Sequence, residues 1–400
     1  MTNLDSTASE LDAVLQAVED VFDKRIALVT EAVLSTKATL LLNGIDSCEG
    51  IAVVGASGAG KTTALDFLKG AEFNDEELVY WSDDLTPAAF VSHEPSKNEE
   101  ELADYDLLPK IRRKSLVNPD MAGWFSGSFE QIRSTMATIA RVMDGSGYHR
   151  DTGSHGSRGY DGDYRFALIG ATTPLDSRAW GAMGHVGNRL VFHYLPRKAS
   201  PHEVAVDVFE GREYGEQVTE CQTEVIAFLR NVWEHYGGYS SMTWDSAANG
   251  EVRDGIVYLA HLVAYCRAPT ETSTREGEHR IMSSLRNIAR GHALLCGREE
   301  LQLDDVQVSS RLALSTMHKE RRGIVRAVVD PKTPNPITSK DLKTHPATDS
   351  TRKTLREQMK LLETLGLGEV VTKDNGRNTE QFALKDEFVW PDFLDFPTFG

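Results

Sequence analysis

Cysteine is sparse and scattered in this sequence, with four residues in 400 (Cys48, Cys221, Cys266 and Cys296) and no C-x-x-C pair. That excludes a disulfide framework and a thiolate zinc site, and it reads the four as reduced core residues of a cytosolic protein. No run reaches the ~18 apolar residues that a membrane span needs, and no basic-then-apolar leader opens the chain, so no membrane partner is expected. Positive charge is scarce as well: the formal net charge is −17, which taken alone argues against nucleic acid. What positive charge there is clusters. Residues 318–360 hold eleven Lys/Arg against five Asp/Glu, a local net of +6, whereas residues 361–400 hold three against eight. A basic island in an acidic chain says more about partners than the total does. The 40% hydrophobic content is enough for real cores, and the length suggests two or three domains.

What is present centres on residues 51–68, IAVVGASGAGKTTALDFL. The stretch reads as a short apolar strand, a glycine-rich loop and an apolar-periodic helix. Gly55, Ala56, Ser57, Gly58, Ala59, Gly60, Lys61 and Thr62 fit G-x-x-x-x-G-K-[ST], with Thr63 following. Glycines let the backbone close on phosphate oxygens, and loop N–H groups with a helix N-terminus favour an anion there. Lys61 can reach the β- and γ-phosphates, and the Thr62 hydroxyl can ligate Mg²⁺. The stretch therefore predicts a site for ATP with Mg²⁺.

In chain order, residues 1–45 carry Leu11, Leu15, Val18, Phe22, Ile26, Val29 and Val33 at helical spacing, which predicts a helix packed beside the nucleotide domain. After the phosphate loop a strand is predicted over 77–81, followed by Ser82-Asp83-Asp84, and another over 115–118, followed by Pro119-Asp120. Asp120 is the candidate to hold the Mg²⁺ hydration shell through water. The Glu that commonly adjoins such a carboxylate is missing, and Met121 stands in its place. Glu130 and Asp144 are the alternatives. Residues 144–166 hold six glycines together with His149, Arg150, His155, Arg158 and Arg165, and predict a hairpin that either touches nucleic-acid phosphates or is solvated. A buried strand over 166–170 leads to Thr173, whose hydroxyl can bond the γ-phosphate or the attacking water. Arg189, just before a strand over 190–194, suits a rim from which it reaches a neighbouring subunit's γ-phosphate. Residues 200–317 read as helical throughout, with Arg280 placed to swing onto the phosphates as that lid closes.

The basic island predicts three helices, over 323–329, 339–345 and 350–365, and then a hairpin over 369–372 and 379–384. In the third helix Leu355, Met359 and Leu362 share one face, while Arg352, Arg356 and Lys360 form an i, i+4, i+8 stripe beside Lys353. This is the pattern of a winged helix-turn-helix, with Lys373 and Arg377 on the wing, and DNA is the favoured partner.

Taken together, these features resemble an AAA+ ATPase with a C-terminal winged helix. LIGATT at 168–173 is similar to the sensor-1 strand of the branch-migration helicase, and origin initiators and minichromosome-maintenance helicases share the layout. The resemblance implies an α/β P-loop NTPase, with an N-terminal helical segment (1–45), nucleotide core (46–199), helical lid (200–317) and winged helix (318–395). It implies Thr173 as sensor 1, Arg189 as trans-acting arginine finger, Arg280 as sensor 2, and assembly into a ring. The expected activity is ATP hydrolysis that drives or gates DNA engagement. The alternatives are an ATP-switched DNA-binding regulator with weak turnover, or a protein-remodelling or defence ATPase.

Overall fold

A computed structural model of the chain describes residues 5–92, 99–152, 156–187, 189–198, 205, 209, 211–245, 247, 249–268, 277–373 and 379–399, without the side chains of 5–9, 99, 100, 152, 319, 320 and 373. Two helices open it, α1 (Asp5–Val21) and α2 (Lys24–Ala38). The single amphipathic pattern of the sequence is broken at Phe22-Asp23, because the Asp23 carboxylate caps α2 by accepting from the Arg25 and Ile26 amides. Neither residue is glycine or proline, and the apolar spacing runs through the break.

Twelve strands follow in order: β1 (Gly50–Val54), β2 (Glu72–Phe73), β3 (Glu76–Glu77), β4 (Val79–Trp81), β5 (Ser115–Asn118), β6 (Gly147–Thr152), β7 (Gly156–Asp161), β8 (Ala167–Thr172), β9 (Leu190–Tyr194), β10 (Ile337–Thr338), β11 (Gly368–Lys373) and β12 (Thr379–Leu384). Five of them form a parallel sheet in the order β4-β5-β8-β1-β9. The fold is thus α/β with a parallel sheet. Alternate residues of each central strand feed opposite cores. Ile51, Val53, Val117, Ala167, Ile169 and Val191 pack towards α2, while Ala52, Val54, Leu116, Leu168, Leu190 and Phe192 pack towards the Phe129–Val142 and Ser177–Val186 helices. Burial on both faces explains why these strands read as short continuous apolar runs.

On the first face, α2 is buried along nearly its whole length between the sheet and the Glu278–Leu295 helix. The two helices approach so closely that a Cβ at Gly291 would strike the Ser35 carbonyl oxygen. Helices Tyr214–Tyr236, Gly250–Arg267 and Leu303–Ser315 complete this side, and all four cysteines are buried and form no disulfide. The C-terminal part comprises helices Lys319–Val329, Ser339–Thr344 and Arg352–Leu365 with an antiparallel sheet β10-β12-β11. No helix is long and apolar enough to cross a membrane among the described residues.

Candidate functional site

The parallel sheet sends β1, β4, β5, β8 and β9 out at one edge, with β1 flanked by β8 and β9, strands that follow it far along the chain. A crevice at the carboxyl ends of the strands, where the winding order reverses, is where such sheets bind ligands. Here β1 enters the glycine loop. Gly58 and Gly60 take φ of 73° and 90°, a left-handed region that costs other residues about 1–2 kcal/mol. These turns lead into α3 (Thr63–Asp66), which is shorter than the helix its sequence predicts. Lys61 Nζ donates to the Ala56 carbonyl at 2.9 Å, closing over its own loop. Partial burial lowers the Lys61 pKa, and the charge of Asp120 opposes that shift, so the carboxylate lies within electrostatic reach of the ammonium. Thr62 is exposed and its side chain caps nothing. The Thr63 hydroxyl lies 3.0 Å from the Tyr214 hydroxyl.

Asp120 follows β5 at the same edge. It is exposed and accepts a hydrogen bond from the Ala122 amide at 3.0 Å. Its strand is not the immediate neighbour of β1, because β8 lies between them. Thr173 follows β8, exposed at that edge, and the Gly55 amide donates to the carbonyl of the preceding Thr172 at 3.2 Å. Sequence reasoning missed Asn118 and Thr172, the last residues of β5 and β8. Asn118 Nδ2 and Thr172 Oγ1 are buried with no hydrogen-bond partner among the described residues. Buried polar atoms of this kind normally find a partner; Thr172 stands beside the loop, and Asn118 ends β5, the strand beyond β8, at the same sheet edge. The available signal was a polar residue ending each buried strand.

No acid stands next to Asp120. Met121 is fully buried and packs where a Cβ of Gly170 would be. Glu130 pairs with Arg133 at 2.8 Å on the surface. Asp144 pairs with Arg141 and Arg189 at the amino-terminal edge, away from the loop.

A cavity of about 600 Å³ opens beside the loop, between Ser57–Gly60 and the turn joining α1 to α2. Phe22, Ile26 and Tyr214 give it apolar walls, and Arg197, Lys198 and Arg212 bring positive charge. Phe22 and Tyr214 meet edge-on with ring centres 6.1 Å apart. Arg25 Nη1 donates to the Pro196 carbonyl at 2.5 Å, tying this turn to the exit of β9.

Other predicted residues lie elsewhere. Arg189 precedes β9, whose first residue pairs with Gly50 at the start of β1. It is therefore at the opposite edge from the phosphate loop, ion-paired to Asp144. Arg280 lies beside it, its guanidinium occupying the space a Cβ of Gly187 would need, and its charge lowers the Arg189 pKa after burial has done so. The structure brings Lys61, Thr62, Asp120 and Thr173 to one edge and Arg189 with Arg280 to the other. The β6-β7 hairpin is present, but its cations are occupied. Arg158 pairs with the buried Asp106 at 2.8 Å, Arg165 donates to the Leu42 carbonyl at 3.0 Å, and His149 pairs with Asp161 at 2.9 Å.

On the Arg352–Leu365 helix, Leu355, Met359, Leu362 and Leu365 are buried. Arg352, Lys353, Arg356 and Lys360 are exposed, and Lys360 lies 3.4 Å from Glu380. At about 100° per residue the basic stripe points away both from the buried face and from the Thr354–Gln358–Leu361 face turned to the sheet side. Arg377 lies outside the described residues, as does the side chain of Lys373.

No family model matches this chain, and no curated protein matches it. Among solved structures it is similar to a provisionally assigned ATPase from Cytophaga hutchinsonii ATCC 33406, at 12% identity over 79% of this chain and 90% of that one, with a TM-score of 0.39. A likeness that slight carries no argument about function.

Proposed function

We propose that the chain is an AAA+-type ATPase that binds ATP with Mg²⁺ at Gly55–Thr63 and uses the nucleotide to control DNA engagement by a C-terminal winged helix. The observation that carries this reading is the meeting, at one sheet edge, of the glycine loop, Lys61, Thr62, Asp120 and Thr173. In this reading the loop amides and Lys61 hold the phosphates, Thr62 and Asp120 (through water) hold Mg²⁺, and Thr173 orients the γ-phosphate or the water. The cavity bounded by Phe22, Ile26 and Tyr214 takes the nucleoside. The unpartnered Asn118 and Thr172 atoms supply further polar contacts to the phosphate–water shell.

Buried Met121, in the place of a water-orienting acid, favours slow turnover and hence a switch rather than a fast motor. Arg189 lies where only a neighbouring copy's phosphates would meet it, which supports the ring as a proposal, with release of Asp144 as its requirement. Arg280 shares that edge, so its position lends no support to a role at the phosphates of its own chain. Three helices, a three-stranded antiparallel sheet and the outward stripe of Arg352, Lys353, Arg356 and Lys360 support the DNA part, with Lys373 and Arg377 proposed for the wing.

ATP turnover measured with and without single-stranded, duplex and branched DNA tests this. Slow hydrolysis that DNA alters and that Lys61→Ala abolishes is expected. Turnover undiminished in Lys61→Ala would exclude the site, and indifference to every DNA form would favour a protein partner for the C-terminal unit.

A further inference from the structure

A second cavity, of about 1190 Å³, lies between the exit of β9 and the C-terminal unit. Arg322 and Arg326, one helical turn apart on Lys319–Val329, line it together with Tyr194, Phe399 and Thr354. The Arg322 guanidinium sits 3.4 Å from the Tyr194 ring centre, and that of Arg326 sits 3.4 Å from the Phe399 ring centre. Neither arginine has a carboxylate at ion-pair distance among the described residues, and Arg326 Nε is buried without a partner. Asp330, one turn further on, is engaged by His345 at 3.3 Å, and its charge only partly offsets the lowering of the Arg326 pKa. Burial lowers both guanidinium pKa values, and the charge of Arg322 helps push Arg326 down to about 10.

Three other enclosed arginines are neutralised by a carboxylate, Arg311 by Glu31, Arg298 by Asp305 and Arg158 by Asp106, whereas Arg290 on the Trp244 ring shares the aromatic stacking and the unpartnered Nε of Arg326. Two like charges held together in a partly dry wall cost stability unless a counter-charge arrives. The guanidinium fork matches the oxygens of a phosphate, and a phosphomonoester brings up to two negative charges. Hydroxyls of Thr333 and Thr354 on the same walls can bond further oxygens, whereas that of Thr348 already donates to the Leu342 carbonyl. Asp330, Asp349 and Glu357 also line the cavity and oppose any anion that extends beyond the two guanidinium groups, so a small ligand fits better than a nucleic-acid backbone.

We infer that Arg322 and Arg326 form a second anion site, which takes the phosphomonoester or pyrophosphate group of a small molecule. Occupancy bears on the nucleotide loop, because Tyr194 pairs with Val54 and the Leu195 amide donates to the Val54 carbonyl at 2.8 Å. The inference does not depend on ATP binding at Lys61.

Calorimetric titration of pyrophosphate into the full-length Lys61→Ala protein tests it apart from the first site. One site per chain is expected, weakened at least about tenfold by Arg322→Gln/Arg326→Gln, as expected for hydrogen bonds to a charged group, and unaltered by Arg352→Gln/Arg356→Gln. Should the double variant unfold, phenylglyoxal footprinting of the Lys61→Ala protein decides, with pyrophosphate shielding Arg322 and Arg326 but not Arg352. No titratable site, undiminished affinity in a folded double variant, or no shielding would overturn the assignment. Displacement of pyrophosphate by a short single-stranded oligonucleotide would give the cavity to nucleic acid instead.

Discussion

Lys37 and His292 are both buried on the α2 side of the sheet, and they set opposite pH dependences. Lys37 Nζ donates to the Leu78 carbonyl at 2.8 Å and to Ser115 Oγ at 3.3 Å, with no carboxylate paired to it among the described residues. Burial pushes its pKa down to about 7. An unfolded lysine titrates near 10.4, so between those values the unfolded chain binds more protons and stability rises with pH. Lys37→Met keeps the volume, and the Leu78 carbonyl still accepts from the Ser115 amide at 3.0 Å. Urea unfolding at pH 6 should show the variant more stable by on the order of 1 kcal/mol, with the rise between pH 7 and 10 gone. A variant less stable than wild type at pH 6 would contradict this.

His292 bonds Asp305 at 2.7 Å and Glu31 at 3.2 Å. Burial alone would lower its pKa, but these bonds and one to Cys296 outweigh burial and hold it well above the ordinary value. Both ring nitrogens face carboxylates, so although His292, Cys296 and Asp305 lie within ligand distance of one another, the imidazolium has no lone pair left for a metal. Its stabilisation is complete below about pH 6.5 and is lost as pH rises through the raised folded value. His292→Gln should cost about 3–5 kcal/mol at pH 6 and remove that alkaline decline. A pH-independent cost of a few tenths would show that the network contributes little.

At the scale of elements, the Arg352–Leu365 helix carries the DNA proposal. Each phosphate contact removed lowers the salt slope of binding by about one unit. Arg352→Ala/Arg356→Ala should therefore lower the slope of log affinity against log salt by about two, read by fluorescence anisotropy with duplex DNA. An unchanged slope would place DNA, if it binds, somewhere else. This helix was legible because a buried face alternates with polar positions inside one element, and strands β5 and β9 because burial on both faces leaves a short continuous run. The break between α1 and α2 was not, since it is made by a single capping aspartate within an unbroken apolar rhythm. The position of Arg280 was also hidden. Sequence places it at the start of a helix, but which sheet edge that helix reaches is decided by the close packing of Gly291 on Ser35, a contact between residues far apart in the chain. The hairpin's arginines looked available for phosphate. Asp106, which takes Arg158, is separated from it by 52 residues and gave no local sign of the pairing.

For the molecule as a whole, one sheet edge serves both proposed sites. The exit of β9 lines the loop cavity through Arg197 and Lys198 and the second cavity through Tyr194 and Pro196. The two cavities thus touch different residues of one short stretch, 194–198, and we propose this stretch as the route by which a triphosphate would reposition the C-terminal unit. Against a formal charge of −17 the outward basic stripe stands out, and DNA binding through it, as proposed, would be strongly dependent on salt. The proposed nucleotide control of the C-terminal unit depends on a triphosphate at the glycine loop. Equilibrium binding of a fluorescent ATP analogue in the presence of Mg²⁺, wild type against Lys61→Ala, is the most direct measurement. Saturable binding by wild type at one site per chain, weakened at least about tenfold by loss of the charged donor, is the predicted result. Absence of binding by wild type, or equal binding by the two proteins, would contradict it.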